Sequence, residues 1–229
     1  MPYKSRTKPS DLEILELLAS RMNLDANIQQ HYFNLKKGYE GEQLFDSLTA
    51  NLHSHYIVLN DLLLEANHTT FQIDTFIIAK QKNYIFEVKN YEDDYIYEQD
   101  KLYKKPQMEV LNPLHQLGRS ESLLRQLLHS LGFNSPIEAS VVFINPNFYL
   151  YQAPLDKPFI FPTQVRSHIG KLNAVSSELT SRHYKLAQQL VKLHKPVNSF
   201  NQIPEYDYAQ LRKGIRCSQC RSFSVFIKK

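Results

Sequence analysis

Apolar and polar residues alternate along the first part of the chain in a way that predicts helices. Ser10 and Glu13 form an S-x-x-E capping box before a leucine-rich stretch, which predicts a helix over about residues 11–21. A polar link over residues 23–37 leads to a second predicted helix over about residues 39–53, with apolar residues on one face.

The middle of the chain has the patterns of β-strands. Residues 56–59, 71–79 and 84–89 are rich in β-branched and aromatic side chains, and the polar turn 80–83 joins the last two. Residues 95–104 read as a further hairpin around Gln99 and Asp100. The sequence therefore predicts a three-stranded meander followed by a hairpin.

A helix and a strand complete this pattern. Asn112 and Pro113 are typical of a helix start, and Gly132 is a suitable residue just after its end. An apolar strand over residues 137–144 follows, stopped by Asn145 and Pro146. The order of helix, three strands, helix and strand defines an α/β domain of about 110 residues. We expect a proline-rich loop over residues 151–161 and a final leucine-rich helix that ends before Pro196.

Composition narrows the class of protein. The 229 residues are 42% hydrophobic and 22% charged, which is close to the average of globular proteins. The mean hydropathy is −0.43 and no apolar run reaches about 18 residues, so no membrane span is expected. The start of the chain lacks the apolar stretch of a secretory signal, which favours a cytoplasmic location.

The net charge of +4 is unevenly distributed. Residues 1–150 hold 14 Lys and Arg against 19 Asp and Glu, whereas residues 151–229 hold 13 against 4. A basic second half is typical of a surface that binds a polyanion such as nucleic acid. A solvated face that keeps the protein soluble explains the same charges equally well.

Two carboxylates and a lysine on neighbouring strands are the candidate chemistry. Glu87 and Lys89 share one face of their strand, and Asp74 shares a face of the preceding strand with Gln72, Phe76 and Ile78. If the turn consists of residues 80–83, Asp74 lies opposite Lys89 and diagonal to Glu87, within reach of a shared cation. A turn one residue longer or shorter would separate them onto opposite faces.

Paired carboxylates of this kind favour a divalent cation. Two neighbouring buried carboxylates repel each other, and carboxylate oxygens with water suit Mg²⁺ or Mn²⁺. Lys89 would orient the attacking water and offset charge in a phosphoryl transition state. An E-x-K pattern is common by chance, and a charged stripe on an edge strand is the alternative interpretation; the apolar neighbours of Glu87 favour a central strand.

Four motifs follow one another in the order GYEGE (38–42), QID (72–74), FEVKNY (86–91) and NPLHQ (112–116). This set resembles the nuclease-related domain (NERD) of bacterial proteins, within the PD-(D/E)xK restriction-endonuclease-like superfamily. The resemblance covers residues 37–146 and implies an α/β fold with a restriction-endonuclease-like core. The helical patterns and the charge distribution add flanking helices and a basic C-terminal tail to this core. It implies that Asp74, Glu87 and Glu42 ligate metal, that Lys89 is catalytic, and that Gln116 positions the site or contacts substrate; a solvated helix position is the alternative for Gln116.

Cys217 and Cys220 form a single CxxC pair between basic residues. Structural zinc requires four ligands, and no second pair follows. The pair therefore predicts at most a degenerate zinc knuckle, or one that a partner chain completes.

The sequence thus predicts four segments and one leading function. The segments are an N-terminal helix and linker (1–36), the nuclease-like domain (37–150), a loop and helical extension (151–211) and the basic tail (212–229). The leading function is a Mg²⁺-dependent nuclease, a hydrolase of phosphodiester bonds in DNA, with RNA as the other substrate left open. The alternative is a catalytically silent module that binds nucleic acid or serves as a scaffold. Both a monomer and a homodimer remain open.

Overall fold

The computed structural model describes residues 1–52, 55–174, 178–195, 205–215, 217 and 223. It is a mixed α/β structure with two sheets. Its elements are α1 (Ser10–Ala19), α2 (Ala26–Thr49), β1 (Ile57–Ala66), β2 (Thr69–Ile78), β3 (Asn83–Lys89), β4 (Asp93–Glu98), β5 (Lys101–Lys104), β6 (Met108–Val110), α3 (Pro113–Ser130), β7 (Ile137–Phe143), β8 (Phe148–Tyr151), β9 (Phe159–Ile160), α4 (Pro162–Asn173), α5 (Ser181–Leu193) and a short 3₁₀ turn (Tyr208–Gln210).

The chain divides into two compact units. One unit comprises residues 1–7 and 37–199, and the other comprises residues 8–36 and 200–229. In the second unit α1 buries three leucines, and the backbone amide of Arg212 donates to the carbonyl of Arg21 at 2.8 Å. In the described part of the chain, no helix is both long enough and apolar enough to cross a membrane.

A five-stranded mixed sheet forms the centre of the first unit. Its strand order is β1-β2-β3-β7-β9, with β1, β2 and β3 antiparallel and β7 and β9 parallel to β3. A four-stranded sheet, in the order β6-β5-β4-β8, packs beside it. The α/β class predicted from the sequence is therefore confirmed.

Each face of the five-stranded sheet carries its own hydrophobic core. Side chains of α3, α5 and the second sheet pack on one face, and side chains of α2 and α4 pack on the other. In β3, Ile85 points into the first core while Phe86 and Val88 point into the second, as the alternation of a strand requires. Burial on both faces explains why β3 is almost continuously apolar.

Several elements differ from the sequence-based expectation. The predicted polar link at 23–37 is largely helical, because α2 begins at Ala26. The Asp25 side chain accepts a hydrogen bond from the backbone amide of Ile28 at 2.9 Å and so caps this helix. The expected loop at 151–161 contains β9, which is held by parallel pairing with β7, and it is followed by the unexpected helix α4.

The register between β2 and β3 also differs from the prediction. Ile78 pairs with Asn83 and Thr75 pairs with Phe86, so the turn between the strands consists of residues 79–82. Continued by one residue, this register places Asp74 opposite Glu87 instead of opposite Lys89. The shift is two residues, and an even shift preserves the faces of a strand. Its cause is Asn83, which is fully buried and paired with β7 and therefore belongs to the strand.

The alternation in β1 and β2 is interrupted near Asp74. Ile73 and Phe76 both enter the core under α3, although strict alternation would place them on opposite faces. The predicted common face of Gln72, Asp74, Phe76 and Ile78 is therefore wrong. Asp61 on β1 has a φ of 55°, a left-handed conformation that reverses the strand faces at this level of the sheet.

Candidate active site

Four elements deliver the five predicted site residues. Glu42 comes from α2, Asp74 from β2, Glu87 and Lys89 from β3, and Gln116 from the first turns of α3. Asp74 is 5% exposed and Glu87 is 2% exposed. Lys89 contacts Glu87 and Gln116 directly, whereas Glu42 and Glu87 each interact electrostatically with Asp74.

Asp74 is fixed by the neighbouring strand. The backbone amide of Val88 donates to Asp74 Oδ2 at 2.8 Å. This bond occupies one oxygen of the carboxylate and holds the side chain against the segment between Glu87 and Lys89. A backbone donor stabilises the ionised form of a buried carboxylate.

Lys89 links Glu87 to Gln116. Its Nζ lies 2.7 Å from Glu87 Oε1 and donates to Gln116 Oε1 at 3.0 Å. The contact to Glu87 is a buried ion pair, because the Glu87 side chain is only 2% exposed. Gln116 thus contacts the lysine that the sequence predicts to be catalytic.

Arg6 is a site residue that the sequence did not reveal. Its guanidinium donates to Glu42 Oε2 at 2.7 Å, to both oxygens of Asp46 at 2.9 and 3.1 Å, and to the backbone carbonyl of Asp74 at 2.7 Å. The Arg6 side chain is only 3% exposed. Asp46 lies one helical turn after Glu42, a spacing that could have identified it, whereas Arg6 stands in no recognisable motif.

Gly41 allows α2 to approach the end of β3. A Cβ atom at this position would lie 2.5 Å from Cβ and 2.9 Å from Cγ of Asn90, closer than side chains approach each other. Asn90 in turn donates to the carbonyl of Lys37 at 2.7 Å and accepts from Asn145 at 3.0 Å. The glycine preceding Glu42 therefore sets the distance between the helix and strand that carry the acids.

Burial and mutual repulsion perturb the three acids. Burial and the nearby charge of Asp74 raise the pKa of Glu42 to about 8, and the same two causes raise the pKa of Glu87 to about 8. Burial also raises the pKa of Asp74, against the opposing effect of Lys89. Burial alone would lower the pKa of Lys89, but Glu87 and Asp74 outweigh it and raise that pKa. Clustered groups with such shifts are typical of functional sites.

The donor chemistry fits a hard divalent cation. No group of three or more His, Cys, Asp or Glu side chains within the described ranges has the arrangement of a formed metal cage. Mg²⁺ does not require one, because it usually binds one or two carboxylates and keeps several waters. Glu87 Oε1 is buried against Lys89, and burial and the nearby charge of Asp74 raise the pKa of Glu42 and of Glu87 to about 8 despite the neighbouring cations. A bound divalent ion would offset the repulsion among these acids.

The predicted zinc pair lies partly outside the described residues. Cys217 is half-buried, and Cys220 lies outside the described residues. Zinc binding by these cysteines remains an expectation from the sequence.

Comparison with known families finds a match for the central part of the chain. Residues 37–144 match the family model of the nuclease-related domain. This part of the chain is similar to nuclease-related domains. The match spans α2 from Lys37 through the end of β7 and includes all five predicted site residues of the NERD region. No curated protein and no solved structure matches the chain.

Proposed function

We propose that this protein is a metal-dependent nuclease that hydrolyses phosphodiester bonds in DNA. The proposal rests on the proximity of three acids and one lysine within the residues that match the nuclease-related domain. These residues are Glu42, Asp74, Glu87 and Lys89. The order α2-β1-β2-β3-α3-β7, with β4 to β6 inserted between β3 and α3 and with β3 and β7 parallel, supports a restriction-endonuclease-like core.

Asp74 and Glu87 would hold Mg²⁺ or Mn²⁺, with Glu42 contributing its second oxygen from α2. When bound, the ion would polarise the phosphate and supply a water that ionises near neutral pH. Its positive charge would also return Glu42 and Glu87 to their ionised forms. The acids are thus arranged to bind a cation strongly and to release protons when they do so.

Lys89 would act on the reaction itself. Its Nζ is held between Glu87 Oε1 and Gln116 Oε1, and its raised pKa keeps it protonated at neutral pH. A fixed ammonium group can orient the attacking water and stabilise the negative charge that develops on the phosphoryl oxygens. Gln116 would hold the lysine in this position through its side-chain oxygen.

A groove next to the site supports nucleic acid as the substrate. It has a volume of about 410 Å³ and lies between β2 and the start of α3, with Gln116 in its wall. Arg119 and His115 line it, and the described residues of its wall include no acidic side chain, so its charge suits a phosphate backbone. Exposed Leu111 in the same wall offers an apolar contact for a base or sugar.

The test is cleavage of plasmid and linear DNA by the purified protein with Mg²⁺, with Mn²⁺ and with a chelator. The wild type should cut both substrates only with metal, and Asp74→Ala and Glu87→Ala should each abolish cleavage while folding normally. Glu87→Ala removes one of two repelling carboxylates, whereas Asp74→Ala also leaves the buried amide of Val88 without its acceptor. Urea unfolding of each variant checks that it is folded under the assay conditions. Asp156→Ala, at an exposed acid, is the matched control and should remain active.

Full activity in Asp74→Ala or Glu87→Ala would refute the site. DNA binding without cleavage in the wild type would instead favour the silent nucleic-acid-binding module. Parallel binding measurements with the same DNA therefore separate the two functions.

A further inference from the structure

The segment before α1 adds to the edge of the nuclease domain. The backbone amide of Tyr3 donates to the carbonyl of Val58 at 2.8 Å, and the amide of Asn60 donates to the carbonyl of Lys4 at 3.0 Å. Lys4 and Leu59 form a parallel bridge, and Lys4 Nζ donates to the carbonyls of Asn60 and Asp61. These bonds fix the segment that carries Arg6, which lies outside the matched residues 37–144.

Arg6 occupies the α2 side of the acidic site. Its guanidinium binds one oxygen of Glu42 and both oxygens of Asp46, two carboxylates one turn apart on the same helix face. A bidentate pair between arginine and a carboxylate is strong and geometrically specific. Without Arg6, these two acids would form a second pair of repelling carboxylates beside Asp74.

The charges of the cluster point to the number of metal ions. Five acids interact electrostatically in this region, and three cations oppose them, which leaves a charge of −2 when all are ionised. One divalent ion neutralises that charge. Removal of Arg6 would leave −3, enough to attract a second ion. The acids are Glu42, Asp46, Asp61, Asp74 and Glu87, and the cations are Lys4, Arg6 and Lys89.

We propose that Arg6 is a built-in cation that takes the place of a second metal ion, so that the site binds one divalent ion per chain. The inference rests on the proposed metal-dependent function. Arg6 is a positioning residue in this scheme, because it acts by holding Glu42 and compensating Asp46. The ion binds on the β-strand side, where Asp74 and Glu87 supply the carboxylates.

Calorimetric titration with MnCl₂ measures the number of Mn²⁺ ions bound per chain. The spectroscopic signal of free Mn²⁺ provides an independent count. The wild type should bind one Mn²⁺, Arg6→Met should bind two, and Arg6→Lys, which retains the charge, should bind one. Arg125→Met is the matched control and should bind one, since Arg125 is exposed and pairs only along its own helix with Glu121. Cleavage should depend hyperbolically on Mg²⁺ concentration in the wild type and sigmoidally in Arg6→Met.

Two ions in the wild type would overturn the proposal, as would one ion with unchanged affinity in a folded Arg6→Met. Circular dichroism checks the fold of each variant, and the wild-type count decides the matter if Arg6→Met does not fold. DNA cleavage measured on the same samples tests the nuclease activity separately from the role of Arg6. Cleavage by the wild type with two bound ions refutes only the role of Arg6, whereas one ion bound to the wild type without cleavage refutes the nuclease activity and leaves the count intact.

Discussion

Substitution of Gly41 by alanine should disturb the site through the backbone. The added methyl group would lie 2.5 Å from Asn90 Cβ, about 1 Å inside ordinary van der Waals contact. Asn90 cannot easily turn away, since it is bonded to the carbonyl of Lys37 and to Asn145. We therefore expect α2 to move away from β3 by about 1 Å and to carry Glu42 with it.

The expected loss of stability follows from two opposing effects. Overpacking of this kind costs about 1–3 kcal/mol, and alanine in place of glycine within a helix gains about 1 kcal/mol. Gly41→Ala should thus be destabilised by about 0–2 kcal/mol. Gly38 lies in the same helix with open space around its Cβ position, so Gly38→Ala should gain up to about 1 kcal/mol.

Urea unfolding of the two variants measures this difference, which should be about 1–3 kcal/mol. Cleavage at saturating Mg²⁺ should fall on the order of 100-fold in Gly41→Ala, because a 1 Å displacement of a catalytic group costs about that much, and should be unchanged in Gly38→Ala. Equal stability and equal activity of the two variants would refute the reasoning about the close approach.

Three further outcomes are expected. Without metal, the protein should lose stability as pH rises from about 5 to about 8, because burial and Asp74 raise the pKa of Glu87 from 4.5 to about 8 and the stabilising proton is lost on passing the higher value. Glu87→Gln should flatten this dependence in urea unfolding, and an unchanged slope would contradict the assignment. Lys89→Ala should bind Mn²⁺ but lose turnover in single-turnover assays; weakened metal binding would argue against its role. Deletion of residues 212–229 should lower the salt dependence of DNA affinity by about 0.9 in log–log slope for each duplex phosphate that the tail neutralises, whereas identical slopes would show that the tail does not touch phosphates.

The sequence was most informative where local patterns determine structure. The strand patterns located β2 and β3, and the Asn112-Pro113 start located α3, whose cap is formed by the Asn112 side chain and the amide of Leu114. These features depend on neighbours within a few residues. They also place Asp74, Glu87 and Gln116 on elements that the structure brings together.

Long-range contacts account for the features that the sequence did not predict. Asn83 joins β3 because β7, more than 50 residues later, pairs with it, and this pairing moves the register by two residues. The two-residue strand β9 likewise exists through pairing with β7. Arg6 reaches the acids only because its segment pairs with β1, and a single arginine in a basic stretch gives no local signal of that.

The pairing of Tyr3 and Lys4 with β1 affects how the protein should be divided for expression. A fragment trimmed to the family match, residues 37–144, would lack Arg6 and leave Asp46 without its bidentate partner. It would also lack α4 and α5, whose buried leucines and other apolar side chains complete both cores. The boundaries of the recognisable family thus fall inside the folding unit, and an inactive or insoluble fragment with those ends would say nothing about the chemistry of the intact chain.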